Sequence, residues 1–266
     1  MKLAMRSYLK SMAVRIPKGK RISFLINCHF KGLLNMFTFS PKLLQLLQVL
    51  KKSSFENNIP YMYVDSVGKI TVGVGHNLDA YKDKLELKFV VKRLTRHHVR
   101  GGDTGISVKD KTCLGKAATA DQINNDYNFL TKHIGLKKYN PENLRKYTTL
   151  ELSQDSIDKL FLADLKIAAA VAMREFGSEN FRKYPIQCQA ALIDIAFNVG
   201  NFSSFRNTFV PAIKGTGKYK NMSMSERWKI ASQSCRRGQV SSERNNQVVK
   251  WLKKGSELCQ KNVSEQ

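Results

Sequence analysis

The sequence predicts an α+β fold that is predominantly helical, and three observations carry that prediction. Several long segments repeat apolar residues at helical spacing behind a capping residue. One segment, residues 187 to 199, "QCQAALIDIAFNV", is apolar nearly all round, as an enclosed central helix is. A single stretch, residues 59 to 74, switches to a period of two around a turn. The 266 residues suffice for one large domain or two small ones. With 42% hydrophobic and 9% aromatic residues the composition is that of a folded globular chain.

In chain order, residues 40 to 57 read as a first helix. Ser40 can cap it, Pro41 suits its first position, and Leu43, Leu44, Leu47 and Leu50 recur at helical spacing. Glu56 then falls near its C-terminal end. In residues 59 to 74, "YMYV" and "KITVGV" flank "DSVG", with Asp65 first and Gly68 fourth in a type I turn. The reading is a β-hairpin, with Met62, Val64, Ile70, Val72 and Val74 able to share one face. Residues 77 to 150 are less patterned and hold no internal repeat. "NLDAYKDKLELKFVVKRLTRHHV" looks helical in part, and "RGGDTGISVKDKTCLG" looks like a loop. "TADQINNDYNFLTKHI" looks like a helix capped by Thr119, and "LKKYNPENLRKYTTLEL" looks irregular. Residues 154 to 176 form a helix capped by Ser153, with Asp155 and Asp158 at its start. Ile157, Leu160, Phe161, Leu165 and Ala168 make its buried stripe. The central helix ends at Gly200. "SERWKIASQSCR" and "SERNNQVVKWLKKG" give two more helices.

The charge is strongly positive. Lys and Arg number 45 against 21 acids, a formal +24, spread along the chain rather than grouped in one tail. Such a field attracts polyanions: nucleic acid, anionic lipid or an acidic wall polymer. The first 55 residues contain no acid at all. Their apolar run, "ISFLINCHFKGLLNMF", is too broken by Asn27, His29, Lys31 and Asn35 to span a membrane, and no clear signal-peptide cleavage site follows it. Residues 1–39 are therefore expected to be a basic N-terminal extension. Cysteines stand at 28, 113, 188, 235 and 259, an odd number with no C-x-x-C spacing. That supports neither a disulfide framework nor a zinc site, and buried free thiols are expected. His97 and His98 are adjacent and would point to different faces.

Within this basic chain the hairpin region holds well-placed acids. Glu56 leaves the first helix, and Asp65 sits at the turn opposite. A partly desolvated carboxyl group beside a cleft can act as general acid. A second, ionised acid across the cleft can hold or activate a water. Carboxyl groups about 6.5–9.5 Å apart are the arrangement of inverting glycoside hydrolysis. Thr71, on the returning strand, could orient the water. Each residue also has an ordinary reading: a turn-initiating aspartate, a solvated helix-end glutamate, a common strand threonine. His76 alone is more often a structural hydrogen-bonding group than a catalyst.

The segment "ENNIPYMYVDSVGKITVGVGH" resembles the active-site segment of phage-type lysozymes, glycoside hydrolase family 24. Glu56, Asp65, Thr71, Gly73, Gly75 and His76 fall at that family's offsets. "LSQDSIDKLFLADLKIAAAVAMREF", "QAALIDIAFNVGNFSSFRNT" and "RNNQVVKWLKKG" are similar, in the same order, to its C-terminal lobe. Arg244 stands where the family often has an arginine near the catalytic glutamate. Asn57 stands where the family usually has glycine. The resemblance covers roughly residues 41 to 78 and 153 to 255. It implies a lysozyme-like fold, a small β-hairpin lobe beside a helical lobe, over residues 40–258. The N-terminal 40 residues have no counterpart in compact members, the region at about 79–150 is an enlarged insertion, and 259–266 is a tail.

The resemblance further implies a bacteriolytic muramidase. It would cleave the β-1,4 bond between N-acetylmuramic acid and N-acetylglucosamine in bacterial peptidoglycan, with no cofactor and no metal. Glu56 would be the general acid, Asp65 and Thr71 would position the water, and His76 would hold the hairpin. Such an enzyme acts on the cell wall, periplasmic or extracellular, and is expected to be a monomer. Anionic wall polymers or a membrane surface are further expected partners; nucleic acid is not. Whether a holin or an immunity protein accompanies it is open. Three other readings compete: an inactive basic wall- or polyanion-binding module, a membrane-active basic protein, and a lytic transglycosylase that uses Glu56 alone.

Overall fold

The structure, a computed structural model, describes residues 38–52, 54–92, 114–238 and 240–264. The N-terminal extension up to residue 37, Cys28, His97, His98, Cys113 and most of the expected "RGGDTGISVKDKTCLG" loop lie outside the described residues. What is described is mostly helical with small antiparallel sheets, an α+β architecture. The chain divides into two compact units. One comprises the described residues up to Leu50 and those from Ala163 onward; the other is Lys51–Leu162.

The helical unit begins with α1, Pro41–Leu47, capped as expected: the Ser40 hydroxyl accepts the Leu43 amide at 3.2 Å. Leu43 and Leu47 are fully buried, and α1 packs on α6, Ile186–Val199. The α6 helix is enclosed, with Cys188, Ala190, Ala191, Leu192, Ile193 and Ile195 all buried, and it stops where Gly200 turns left-handed. Two later helices, Met224–Gln233 and Ser242–Ser264, pack on each other, and the second also packs on α6. Close approach is possible because Gly255 faces Cys188: a Cβ there would overlap the Cys188 sulfur. Tyr184 meets the buried Trp228 edge to face, ring centroids 5.0 Å apart. Cys188, Cys235 and Cys259 are free thiols, the first two buried.

The other unit is built around two sheets rather than the single hairpin expected. β1, Ile59–Val64, pairs antiparallel with β2, Ile70–Gly73, and β2 pairs with a third strand, β3, His76–Asn77. β4, Phe89–Val91, pairs with β5, Leu150–Leu152. Strands of two or three residues give no readable alternation, which is why β3, β4 and β5 escape a periodicity reading. The expected shared face exists, since Val64 lies opposite Ile70. The opposite face is covered too: Tyr61, Tyr63 and Thr71 are buried, as are Met62 and Val72.

The stretch after residue 77 is helical in part, as expected: its described residues hold α2, Leu78–Tyr81, before the chain extends into β4. One further segment differs from expectation. The stretch expected to be irregular holds 3₁₀ turns at Ile134–Lys138 and Pro141–Tyr147, then β5. α3, Ala120–Lys132, starts on a capping box formed by Thr119 and Gln122, and it packs on β1, β2 and β5. The long helix α4, Gln154–Phe176, starts after Ser153 and passes from this unit into the helical one. Its first turns meet β2, where Gly73 lies against Ile157 and Leu160.

Candidate active site

The first helix ends earlier than the sequence suggests. After α1 the chain tightens into a 3₁₀ turn, Gln48–Lys51, and Glu56 stands in a separate turn beyond it. The Lys52 carbonyl accepts two amides, Phe55 at 3.0 Å and Asn57 at 3.1 Å. Closing that turn needs a left-handed residue, and Asn57 supplies it with φ 66°. Asparagine adopts this conformation more readily than other non-glycine residues.

The turn sets Glu56, half-buried, over the backbone at Gly75. A Cβ at position 75 would lie 2.7 Å from Glu56 Oε2 and 3.1 Å from its Cδ. Gly75 also has φ 71°, so both space and conformation require glycine there. The acid's carboxyl group is thus held against the link between β2 and β3.

Asp65 opens the turn between β1 and β2, as its spacing predicts: the Gly68 amide donates to the Asp65 carbonyl at 2.9 Å. Its side chain is fixed as well. Oδ1 accepts the amides of Val67 at 3.0 Å and Lys69 at 2.7 Å. Oδ2 faces the Thr71 hydroxyl at 3.4 Å. That hydroxyl lies equally far, 3.4 Å, from the Lys69 carbonyl. One proton cannot serve both acceptors, and both distances are at the long limit of a hydrogen bond. Thr71 is therefore loosely held between the two.

Tyr63 links these groups. It lies directly across the ladder from Thr71, so the two project from the same face. Burial drives the Tyr63 phenol far above its usual range, and the charges of Glu56 and then Asp65 push it further. Both carboxylates act on the same buried phenol, which stays neutral. Sequence reasoning missed Tyr63; its place in the alternation with Thr71 is the signal that could have found it.

His76 serves elsewhere. It pairs with Val72 on the opposite face of β2. Its Nε2 lies 3.2 Å from each carboxyl oxygen of Asp83, and its ring stacks on Tyr81, centroids 4.4 Å apart. Buried and bound in this way, it ties β3 to the segment after α2. Arg244 belongs to the helical unit, where its Nε donates to Asp194 Oδ1 at 2.7 Å. Arg237 donates to Oδ2 of the same carboxylate, also at 2.7 Å. Asp194 was not a candidate in the sequence, because its partners lie 43 and 50 residues away.

Among the described residues no group of three or more His, Cys, Asp or Glu could hold a metal ion. Among them, too, no helix is long and apolar enough to cross a membrane. The chain matches no model of a known protein family and no curated protein sequence.

Proposed function

We propose that the protein is a peptidoglycan hydrolase, an N-acetylmuramidase with a lysozyme-like fold that acts on the bacterial cell wall. One observation carries the reading: two separate turns bring acids to the same small sheet, Glu56 with its carboxyl group against Gly75 and Asp65 with Oδ2 3.4 Å from the Thr71 hydroxyl. A proton donor and a second acid beside a hydroxyl are the groups that glycoside hydrolysis needs. Glu56 gives its proton to the oxygen between the sugars, and the bond from that oxygen to the anomeric carbon breaks. A water bonds to that carbon. Asp65 Oδ2, beside Thr71, takes the water's proton, and exchange with solvent restores both acids. The formal charge of +24 concentrates such an enzyme on an anionic wall, an attraction that added salt weakens.

The test is digestion of purified wall sacs by the natural protein and by Glu56→Gln, with mass analysis of the released fragments. The amide should slow release by about 10²–10⁴-fold, the usual contribution of a positioned proton donor. Wild-type products should end in reducing muramic acid. Anhydro-muramic ends would instead assign a transglycosylase, and undiminished release by Glu56→Gln would remove the reading. Because sacs contain no membrane, lysis of sacs also separates hydrolysis from membrane damage.

A further inference from the structure

The turn that carries Asp65 rests on a neighbouring element. A Cβ at Gly68 would lie 3.1 Å from Ile134 Cγ2 and 3.8 Å from Lys137 Cδ. The 3₁₀ turn Ile134–Lys138 therefore packs directly on the β1–β2 turn. Together they expose apolar surface: Val67 is 59% exposed and Ile134 42%. Three lysines edge it. Lys69 is two residues past Val67; Lys137 touches the turn; the Lys138 ammonium lies over the Tyr139 ring, 5.4 Å from its centroid.

Lysines without an acid are common in so basic a chain, and these three are set apart by the exposed Val67 and Ile134 beside them. Lys51, Lys159, Lys183, Lys214 and Lys254 each pair with an acid. Among the described residues, Lys69, Lys137 and Lys138 have no acidic partner. Asp65, the nearest acid in the turn, has Oδ1 occupied by two backbone amides. Unanswered positive charge beside exposed apolar side chains suits a ligand that carries carboxylates and small methyl groups together.

We propose that this ledge binds the peptide side chains of the wall polymer. Their free carboxylates sit on Lys69, Lys137 and Lys138, and their alanine methyls on Val67 and Ile134. The inference rests on the muramidase reading above. That reading also selects the occupant. The peptide branches from the same muramic acid whose bond is presented to Asp65, so it arrives tethered within reach of the turn. A separate phosphate polymer or a lipid surface has no such tether.

Binding can be measured without digestion in the Glu56→Gln background, by co-sedimentation with two wall preparations. Both are acid-stripped of phosphate polymers; one keeps its peptides and the other has had them removed enzymatically. Lys69→Gln, Lys137→Gln and Lys138→Gln together should weaken binding to peptide-bearing wall by about tenfold, three exposed charge contacts summed. They should leave binding to bare glycan within about twofold. A control of equal charge loss, Lys220→Gln with Lys229→Gln and Lys250→Gln in the helical unit, should change neither by more than about twofold. Equal losses in both triple variants, or equal losses on both walls, would overturn the ledge. So would no loss at all. Failure of Glu56→Gln to slow digestion would strike the underlying reading instead.

Discussion

Asp194 in the helical unit and Asp126 in the sheet-bearing unit are both fully buried, and the two units answer them differently. Asp194 is met by two guanidinium groups, those of Arg237 and Arg244. Among the partners of Asp126 are backbone and hydroxyl dipoles. Its Oδ2 accepts the amides of Thr149 at 2.7 Å and Leu150 at 3.1 Å, and its Oδ1 accepts the Thr149 hydroxyl at 3.1 Å. The difference follows from what each unit must join. The helices around Asp194 satisfy their own backbones, so only side chains remain to bridge them. The short strand β5 has free amides at its start, and a carboxylate from α3 can receive them. Arg244 even stands in the first turn of its helix, where a positive charge opposes the helix dipole. It is there for Asp194.

The largest effect should therefore come from Asp194→Ala. It leaves two buried guanidinium groups without their shared carboxylate, at a cost of about 3–5 kcal/mol. Both tryptophans, Trp228 and Trp251, belong to the helical unit, so the urea midpoint followed by their fluorescence should fall by that measure. Asp126→Ala leaves the Thr149 and Leu150 amides and the Thr149 hydroxyl without their acceptor and should cost at least about 1–3 kcal/mol. Its loss should appear in tyrosine fluorescence, because Tyr61, Tyr63, Tyr81, Tyr127, Tyr139 and Tyr147 all lie in its unit. An equal shift of the tryptophan transition would break the comparison and show that the units unfold together.

The smallest effect is alkaline. Burial, then the hydrogen bond to Asp79, raise the Tyr127 phenol to about 12, and burial raises Tyr63 further. A folded-state pKa above the unfolded value means stability is complete below pH ~10 and is lost as pH climbs through the folded value. The tyrosine-monitored urea midpoint should hold to about pH 10 and then decline toward pH 12. Tyrosinate absorbance in the folded protein should lag behind that in urea. A midpoint independent of pH over this window would refute the assignment.

The elements legible in the sequence are those whose signals are local. Ser40 before Pro41, Thr119 with Gln122 and Gly200 after an apolar run each act within one turn of chain, and each marks the boundary it predicts. The turn at Asp65 is equally local. The end of the first helix is not legible, because leucine spacing continues to Leu50 while the stop depends on how Lys52 and Asn57 close a turn. The candidate site divides along the same line. Asp65 and Thr71 are two points of one hairpin. Their relation to Glu56 depends on Gly75 leaving room for a carboxyl group, which spacing along the chain does not show.

By itself the sequence determined the charge, the helix starts, the hairpin turn and the identities of the acids, since propensity, capping and titratable chemistry are properties of residues near one another in the chain. Only the tertiary structure decided which carboxylate faces which partner. Asp194 found its arginines, Asp126 its amides, and Glu56 its glycine through packing between segments far apart in sequence, where burial makes an unmet charge too costly to leave unanswered.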